Sequence, residues 1–350
     1  MAGLGLAVTA CSSSTSTPAP QSAPTPAPTP VQARQAAAAP RPNQPVTIAF
    51  GGDVHFEGAS VQALHGGMSA IAPTLKAADL AMVNLETAIT TRGTPQPKTY
   101  KFRAPASAFT ALRDAGIDVV TEANNHGVDY GPVGLHDTLA AIKSSGFPVV
   151  GIGANEAEAY KPWRTTINGQ RIAVLGATQV IDSNLRASWT AGPDHAGLAS
   201  AFRVSTLLSA VRAARRSADI VVVYLHWGTE YQDCPNGQQF ALAPQLVKAG
   251  ADVVVGSHAH EQLGAGWLGH AYVDYGLGNF VFYASGGGAT TRSGVLTLTV
   301  HRHAVTKATW TPAEIASGVP VPLYGAAADA GRREWSALRA CTGLSATRQD

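Results

Sequence analysis

The stretch GADVVVGSHAH, residues 250–260, decides how this chain is read. Its valines make a short apolar run of buried-strand character, and the run ends on His258 and His260, two residues apart, where the strand should emerge into solvent. A lone H-x-H reads first as a pair of ordinary loop histidines. Its meaning depends on how the other strands end.

Four more apolar runs end in the same way. VTIAF (46–50) leads into Asp53 and His55 of FGGDVHFEG, and LAMVNLE (80–86) carries Asn84 and Glu86. IDVVTEA (117–123) brings Glu122 and then Asn124, Asn125 and His126, while DIVVVYLHW (219–227) carries His226, with Glu230 close behind. Singly, Asp53 reads as a turn former, Asn125 as a residue suited to left-handed backbone, and His226 as a buried strand histidine. Together, such placements at the carboxyl ends of strands mark the edge of an α/β sheet where ligand crevices form.

The remaining runs are PVVGIG (148–153), RIAVLGA (171–177) and AYVDYGLGNFVF (271–282). Between the runs lie Ala- and Leu-rich segments at 105–115, 133–145, 202–216 and 238–249, which predict helices. Asn168-Gly169 predicts a hairpin and 294–300 with 304–310 a further strand pair, so a layered α/β domain with mixed sheets is expected. With 350 residues, 45% of them hydrophobic, the chain can build one large domain or two small ones. Its net charge of +2 gives no sign of the basic stripe that nucleic-acid binding needs.

The N-terminal part has a different character. MAGLGLAVTAC (1–11) resembles the lipobox of a bacterial lipoprotein, with Cys11 as the lipid-bearing thiol. No Lys or Arg precedes Cys11, so the charged n-region of a signal peptide is missing and the true start is expected upstream. Residues 12–45 are rich in Pro, Ala, Ser and Thr, with only Arg34 and Arg41 charged. At about 3.1 Å per residue they make a tether reaching roughly 100 Å. No apolar run of membrane-spanning length follows. The expected organisation is therefore a signal segment at 1–11, a linker at 12–45, a domain at 46–312 and a C-terminal extension at 313–350. The expected location is extracytoplasmic, lipid-anchored to the bacterial cell membrane. In that oxidising compartment the two remaining cysteines, Cys234 and Cys341, are expected to pair.

Carboxylate, imidazole and carboxamide groups gathered at one edge are what two divalent ions require, a carboxylate to bridge them and neutral imidazoles to complete the shells. These donors suit Mn, Fe, Co or Zn. The order D-x-H, acidic residue, N-H, H and H-x-H resembles the calcineurin-like metallophosphoesterase superfamily. Within it, NLE, ANNHGVDYG, HWGTEY, GADVVVGSHAH and YGLGNFVF together are similar to the CapA family, linked to poly-γ-glutamate capsule synthesis, from about Val46 to about Phe282.

The resemblance implies a four-layer α/β/β/α sandwich of the metallophosphoesterase type with two divalent metal ions on one edge. It implies that Asp53, His55 and His260 hold one ion and Asn125, His226 and His258 the other. Glu86 takes the bridging place, and His126 is the proton donor to a leaving group. Two positions depart from the superfamily, which bridges with an aspartate where Glu86 stands and commonly has glycine in place of Asn124.

The loop PKTYKFRAP (97–105) adds Lys98, Lys101 and Arg103, a candidate hold for a phosphoester or a polycarboxylate. Glu230 is a candidate for orienting an imidazole and Asn279 for outer support of the site. The expected function is a membrane-tethered, dinuclear metal-dependent hydrolase of phosphoesterase type. Its substrate is a phosphoester or an anionic envelope polymer, and its partners are polyglutamate synthase or export proteins. Two alternatives stay open: a noncatalytic polymer-binding or export subunit with structural metals, and an envelope hydrolase cleaving amide or phosphodiester bonds.

Overall fold

The computed structural model describes residues 43–349. The lipobox segment with Cys11 and the Pro-rich stretch up to residue 42 lie outside the described residues.

The chain first lays down β1 (Val46–Val54), β2 (Leu80–Leu85), α1 (Ala108–Ala115), β3 (Val119–Thr121), α2 (Gly131–Ser145) and β4 (Val149–Val150). A second series follows with β5 (Trp163–Ile167), β6 (Gln170–Thr178), α3 (Val204–Arg215), β7 (Ile220–His226), α4 (Gly237–Ala249), β8 (Val253–Ser257), β9 (Ala265–Leu268) and β10 (Ala271–Asp274). The chain then returns through β11 (Asn279–Val281), β12 (Arg292–His301), β13 (Ala304–Ala316) and β14 (Val319–Pro322) to α5 (Gly325–Ala337).

One sheet has the order β14-β13-β12-β1-β2-β3-β4, with β11 also on β1; the other runs β9-β10-β8-β7-β6-β5. The first sheet is antiparallel from β14 to β1 and parallel from β1 to β4, and the second is parallel at its centre with antiparallel β9 and β5 at its margins, as the mixed pattern predicts.

Period-two alternation sorts the side chains into three cores. Ile48 and Phe50 of β1 pack with Val222 and Tyr224 of β7 between the sheets. Ala49 of β1 turns outward against Phe109 and Leu112 of α1, and Val221 and Val223 of β7 turn outward against Leu207 of α3 and Leu246 of α4. The result is an α/β/β/α sandwich. Among the described residues no helix is long and apolar enough to cross a membrane.

The structure refines three sequence expectations. AYVDYGLGNFVF is two strands, β10 in the second sheet and β11 in the first, and the chain crosses between sheets at Gly276–Gly278. A Cβ on Gly52 would meet the Gly278 carbonyl at 1.8 Å, and this close approach sets Asn279 beside Asp53. PVVGIG breaks after β4, and Ile152–Gly153 leaves to pair with Gly197–Leu198. The boundary placed at 312 falls inside β13, whose Ala313–Ala316 pair with β14, while Trp335 of α5 stacks on Trp310 at 5.1 Å. The extension belongs to the sandwich because its apolar groups complete a sheet face.

A disulfide joins Cys234 to Cys341, with Cα atoms 5.8 Å apart and a sequence separation of 107. It ties the C-terminal segment to the loop after β7. Replacing both cysteines with serine is expected to cost about 4 to 5 kcal/mol on the chain-entropy account. Urea unfolding of the double variant against the oxidised parent checks this.

Candidate metal centre

The clustered side chains come from two sheets rather than one. Asp53, Glu86 and Asn125 stand at or just beyond the ends of β1, β2 and β3, and His226 and His258 at the ends of β7 and β8. Register aligns Asp53 with Asn84 and His226 with Ser257. Hydrogen bonds then stitch the sheets together: Asn84 Nδ2 donates to Asp53 Oδ1 at 2.7 Å and lies 3.1 Å from His226 Nδ1, and the His258 amide donates to Asp53 Oδ2 at 3.1 Å. His226 Nε2 lies 2.7 Å from Asn125 Oδ1 and 3.5 Å from Glu86 Oε1.

Two triples of possible ligands emerge, Asp53 with Glu86 and His260, and Glu86 with His226 and His258, each with donor atoms within 4.8 Å of one another. Glu86 is common to both. His258 and His260 part company here, one to each triple. Both residues have left-handed backbone, φ 103° and 57°. Such conformations cost on the order of 1 to 3 kcal/mol each and persist where the surroundings fix them. A third triple joins His258 and His260 to exposed Glu230, placing that carboxylate among possible ligands as well as outer supports.

His55 stands apart from these triples. Its ring stacks on Phe102 at 4.4 Å and meets Phe282 edge-on at 4.1 Å. Nδ1 lies 3.1 Å from Ser60 Oγ, which itself donates to the Glu57 carbonyl, while Nε2 is buried without a hydrogen-bond partner. Asn279 is buried, with Oδ1 2.9 Å from His260 Nδ1, the geometry of an orienting group. Glu122 ends β3 but joins no triple; both its oxygens are buried and unpaired, burial drives its pKa well up, and nothing in the structure explains it.

The electrostatics fit a cation. Burial, with Asp53 adding to it, holds the Glu86 carboxyl well above the usual range, and burial raises Asp53 as well. Burial lowers His226 and His258 well below the usual imidazole range and His55 to about 3. Both Glu86 oxygens, His55 Nε2 and His258 Nδ1 are buried without partners. Orphans of this kind are rare in folded chains. A divalent ion would return Glu86 to its carboxylate form and requires the neutral imidazoles that burial enforces.

His126 is supported from behind. Nδ1 lies 2.6 Å from Asp129 Oδ2, so Nδ1–H donates to that carboxylate, and Nε2 is 3.8 Å from Glu86 Oε1. Asp129 also accepts the Phe102 amide at 2.7 Å and pairs with buried Lys98 at 2.9 Å. Burial lifts Asp129 up to about 7, with Lys98 opposing. The Phe102 ring stacks on His126 at 4.2 Å, so it lies against both His55 and His126. Among the loop cations, Lys98 lines the cleft. Lys101 Nζ donates to the Lys98 carbonyl and the Arg103 guanidinium lies over the Tyr130 ring, neither lining the cleft.

The cleft above the cluster has a volume of about 680 Å³ and includes Tyr100, Tyr231 and Tyr283 in its lining. Sequence reading gave no role to Asp129 or to these tyrosines. The one local signal was the three-residue spacing of His126 and Asp129 in HGVD.

Two facing sheets, outer helices and an acid–imidazole cluster along the shared carboxyl edge define a four-layer α/β/β/α sandwich with a candidate metal site at that edge. A phosphatase from Mycoplasma pneumoniae has the same fold, with a TM-score of 0.51 over 77% of this chain and 93% of that one at 13% identity. Residues 47–284 match the family described as bacterial capsule synthesis protein PGA_cap, and the chain belongs to that family. It is 30% identical over 261 residues to the PGA biosynthesis protein CapA of Bacillus subtilis (strain 168), covering 72% of this chain and 66% of that protein. It is 34% identical over 185 residues to the capsule biosynthesis protein CapA of Bacillus anthracis, covering 53% of this chain and 45% of that protein. The chain thus spans about half to two thirds of the length of these relatives.

Proposed function

We propose that this chain is an extracytoplasmic, lipid-tethered hydrolase with a dinuclear metal centre, acting on a phosphoester or related acyl centre during poly-γ-glutamate or other envelope polymer synthesis. The observation that carries the reading is Glu86, a buried carboxylate with two unpaired oxygens shared by two ligand triples. Asp53, Glu86 and His260, with His55 beside them, would hold one ion, and Glu86, Asn125, His226 and His258 the other. Their nitrogen and oxygen donors suit Mn, Fe, Co or Zn. Bound there, divalent ions supply Lewis acidity and bring the pKa of water toward neutrality.

The chain's own residues do the rest. Asp129 holds the His126 ring with Nε2 toward the cluster and supports its imidazolium form against burial and Lys98, which lower its pKa. A proton taken from solvent before the reaction passes from Nε2–H to the departing oxygen, leaving the neutral ring with Nδ1–H on Asp129. Lys98 neutralises Asp129 and, by donating to the Asn125 carbonyl, anchors the 97–105 loop over the site. Phe102 walls His126 from bulk water.

The test is turnover by the full chain, stripped with EDTA and reloaded with each metal, against a panel of phosphomonoesters, phosphodiesters and γ-glutamyl oligomers. Metal-restored hydrolysis of one class supports the reading; no hydrolysis with any metal overturns it. The tether has its own check. Cys11→Ser is expected to move the protein from membrane to soluble fractions, and a variant that stays on the membrane in high salt counts against lipidation.

A further inference from the structure

We infer that the mouth of the cleft binds an uncharged carbohydrate portion of the substrate, adjoining the group that reaches the metal centre. The position of the reacting group rests on the hydrolase reading above; the ligand class rests on the rim alone.

Three of the eight large hydrophobic side chains exposed among the described residues belong to this one cleft: Tyr100 at 61%, Tyr231 at 58% and Tyr283 at 37%. Tyr283 lies 4.6 Å from the His55 ring, Tyr231 lies 6.3 Å from His260, and Tyr100 rides on the loop between Lys98 and Phe102. Aromatic faces with a hydroxyl at one end suit a ligand that is apolar on one face and polar at its edge. A cleft of about 680 Å³ with three tyrosine rings in its lining suits an extended ligand of several linked units better than a single small group.

Charge selects among such ligands. The lining carries one lysine, Lys98, already paired with Asp129, against two carboxylates, Asp182 and Glu230. A γ-glutamyl chain bears a carboxylate on every unit and, in the metal-free chain, would meet both Asp182 and Glu230 without a compensating cation. Sugar hydroxyls instead donate to Asp182, Glu230 and the Asn184 carbonyl, while their C–H faces lie on the tyrosines. A metal-bound anionic group with a neutral glycan beyond it matches both halves of the site.

The test is calorimetric titration of the EDTA-treated full chain with cellotetraose and chitotetraose, compared with a γ-glutamyl tetramer and adenosine. Saturable binding of at least one tetrasaccharide, tighter than the tetramer or adenosine, is expected. Tyr100→Ala and Tyr231→Ala should each weaken it roughly five- to tenfold, Tyr100→Phe less than threefold, and Asp182→Asn severalfold. These side chains are exposed, so unchanged melting temperatures separate lost binding from lost folding. No saturable binding by either tetrasaccharide, tighter binding of the tetramer or adenosine, or alanine variants that bind as well as the parent overturn the inference. Because metal-free binding is read apart from turnover, a chain that binds sugar but hydrolyses nothing overturns only the hydrolase reading.

Discussion

Glu86→Gln is expected to cut metal-dependent turnover by about two to three orders of magnitude and to lower the bound metal together with it. The substitution keeps the shape and removes the charge shared by the two triples. Its effect on stability should reverse with metal. In the metal-free fold, burial and Asp53 hold the Glu86 carboxyl well above its ordinary value of 4.5, so the folded chain binds that proton more tightly than the unfolded one. Stability of the metal-free parent therefore falls as pH rises above about 4.5, and the glutamine variant escapes that loss. With metal the order inverts, because only the parent gains from binding. Melting curves at pH 5 and pH 8, with and without metal, read all four states. A glutamine variant that melts below the metal-free parent at pH 8 would show that the carboxylate is stabilised by the protein itself.

His126→Ala is expected to behave differently, lowering turnover about 10² to 10⁴-fold while leaving metal content and melting temperature close to the parent. The loss should be largest for esters with poor leaving groups, which depend most on the donated proton. Asp129→Asn should fall between parent and His126→Ala, since the imidazole keeps its place but loses its anionic support. If His126→Ala strips the metal, the residue is a ligand. If hydrolysis is unaffected while polymer binding persists, the noncatalytic reading is the one that survives.

The candidate pairs are legible in the sequence because each follows its own apolar run at short spacing, Asp53 with His55 and His258 with His260. The helices and the Asn168-Gly169 hairpin are legible for the same reason, as local periodicity and turn chemistry. What sequence cannot display is which groups two separate sheets bring face to face. Asn84, bonded to Asp53, reaches His226 at a sequence separation of 142, and Asp53 receives the His258 amide at a separation of 205. The 97–105 loop is the clearest case. Its cations suggest a substrate clamp, whereas the fold commits Lys98 to Asp129, stacks Phe102 on the two histidines and leaves Tyr100 at the rim. The left-handed backbone at His258 and His260 is likewise a tertiary outcome, since neither residue favours it on its own.

The most direct test of the metal centre is anomalous diffraction from crystals of the protein grown with Mn²⁺. The account predicts two peaks about 3.5 to 4 Å apart, one among Asp53, Glu86 and His260, the other among Glu86, His226 and His258. Crystals that contain manganese but show no peak beside Glu86 would contradict it.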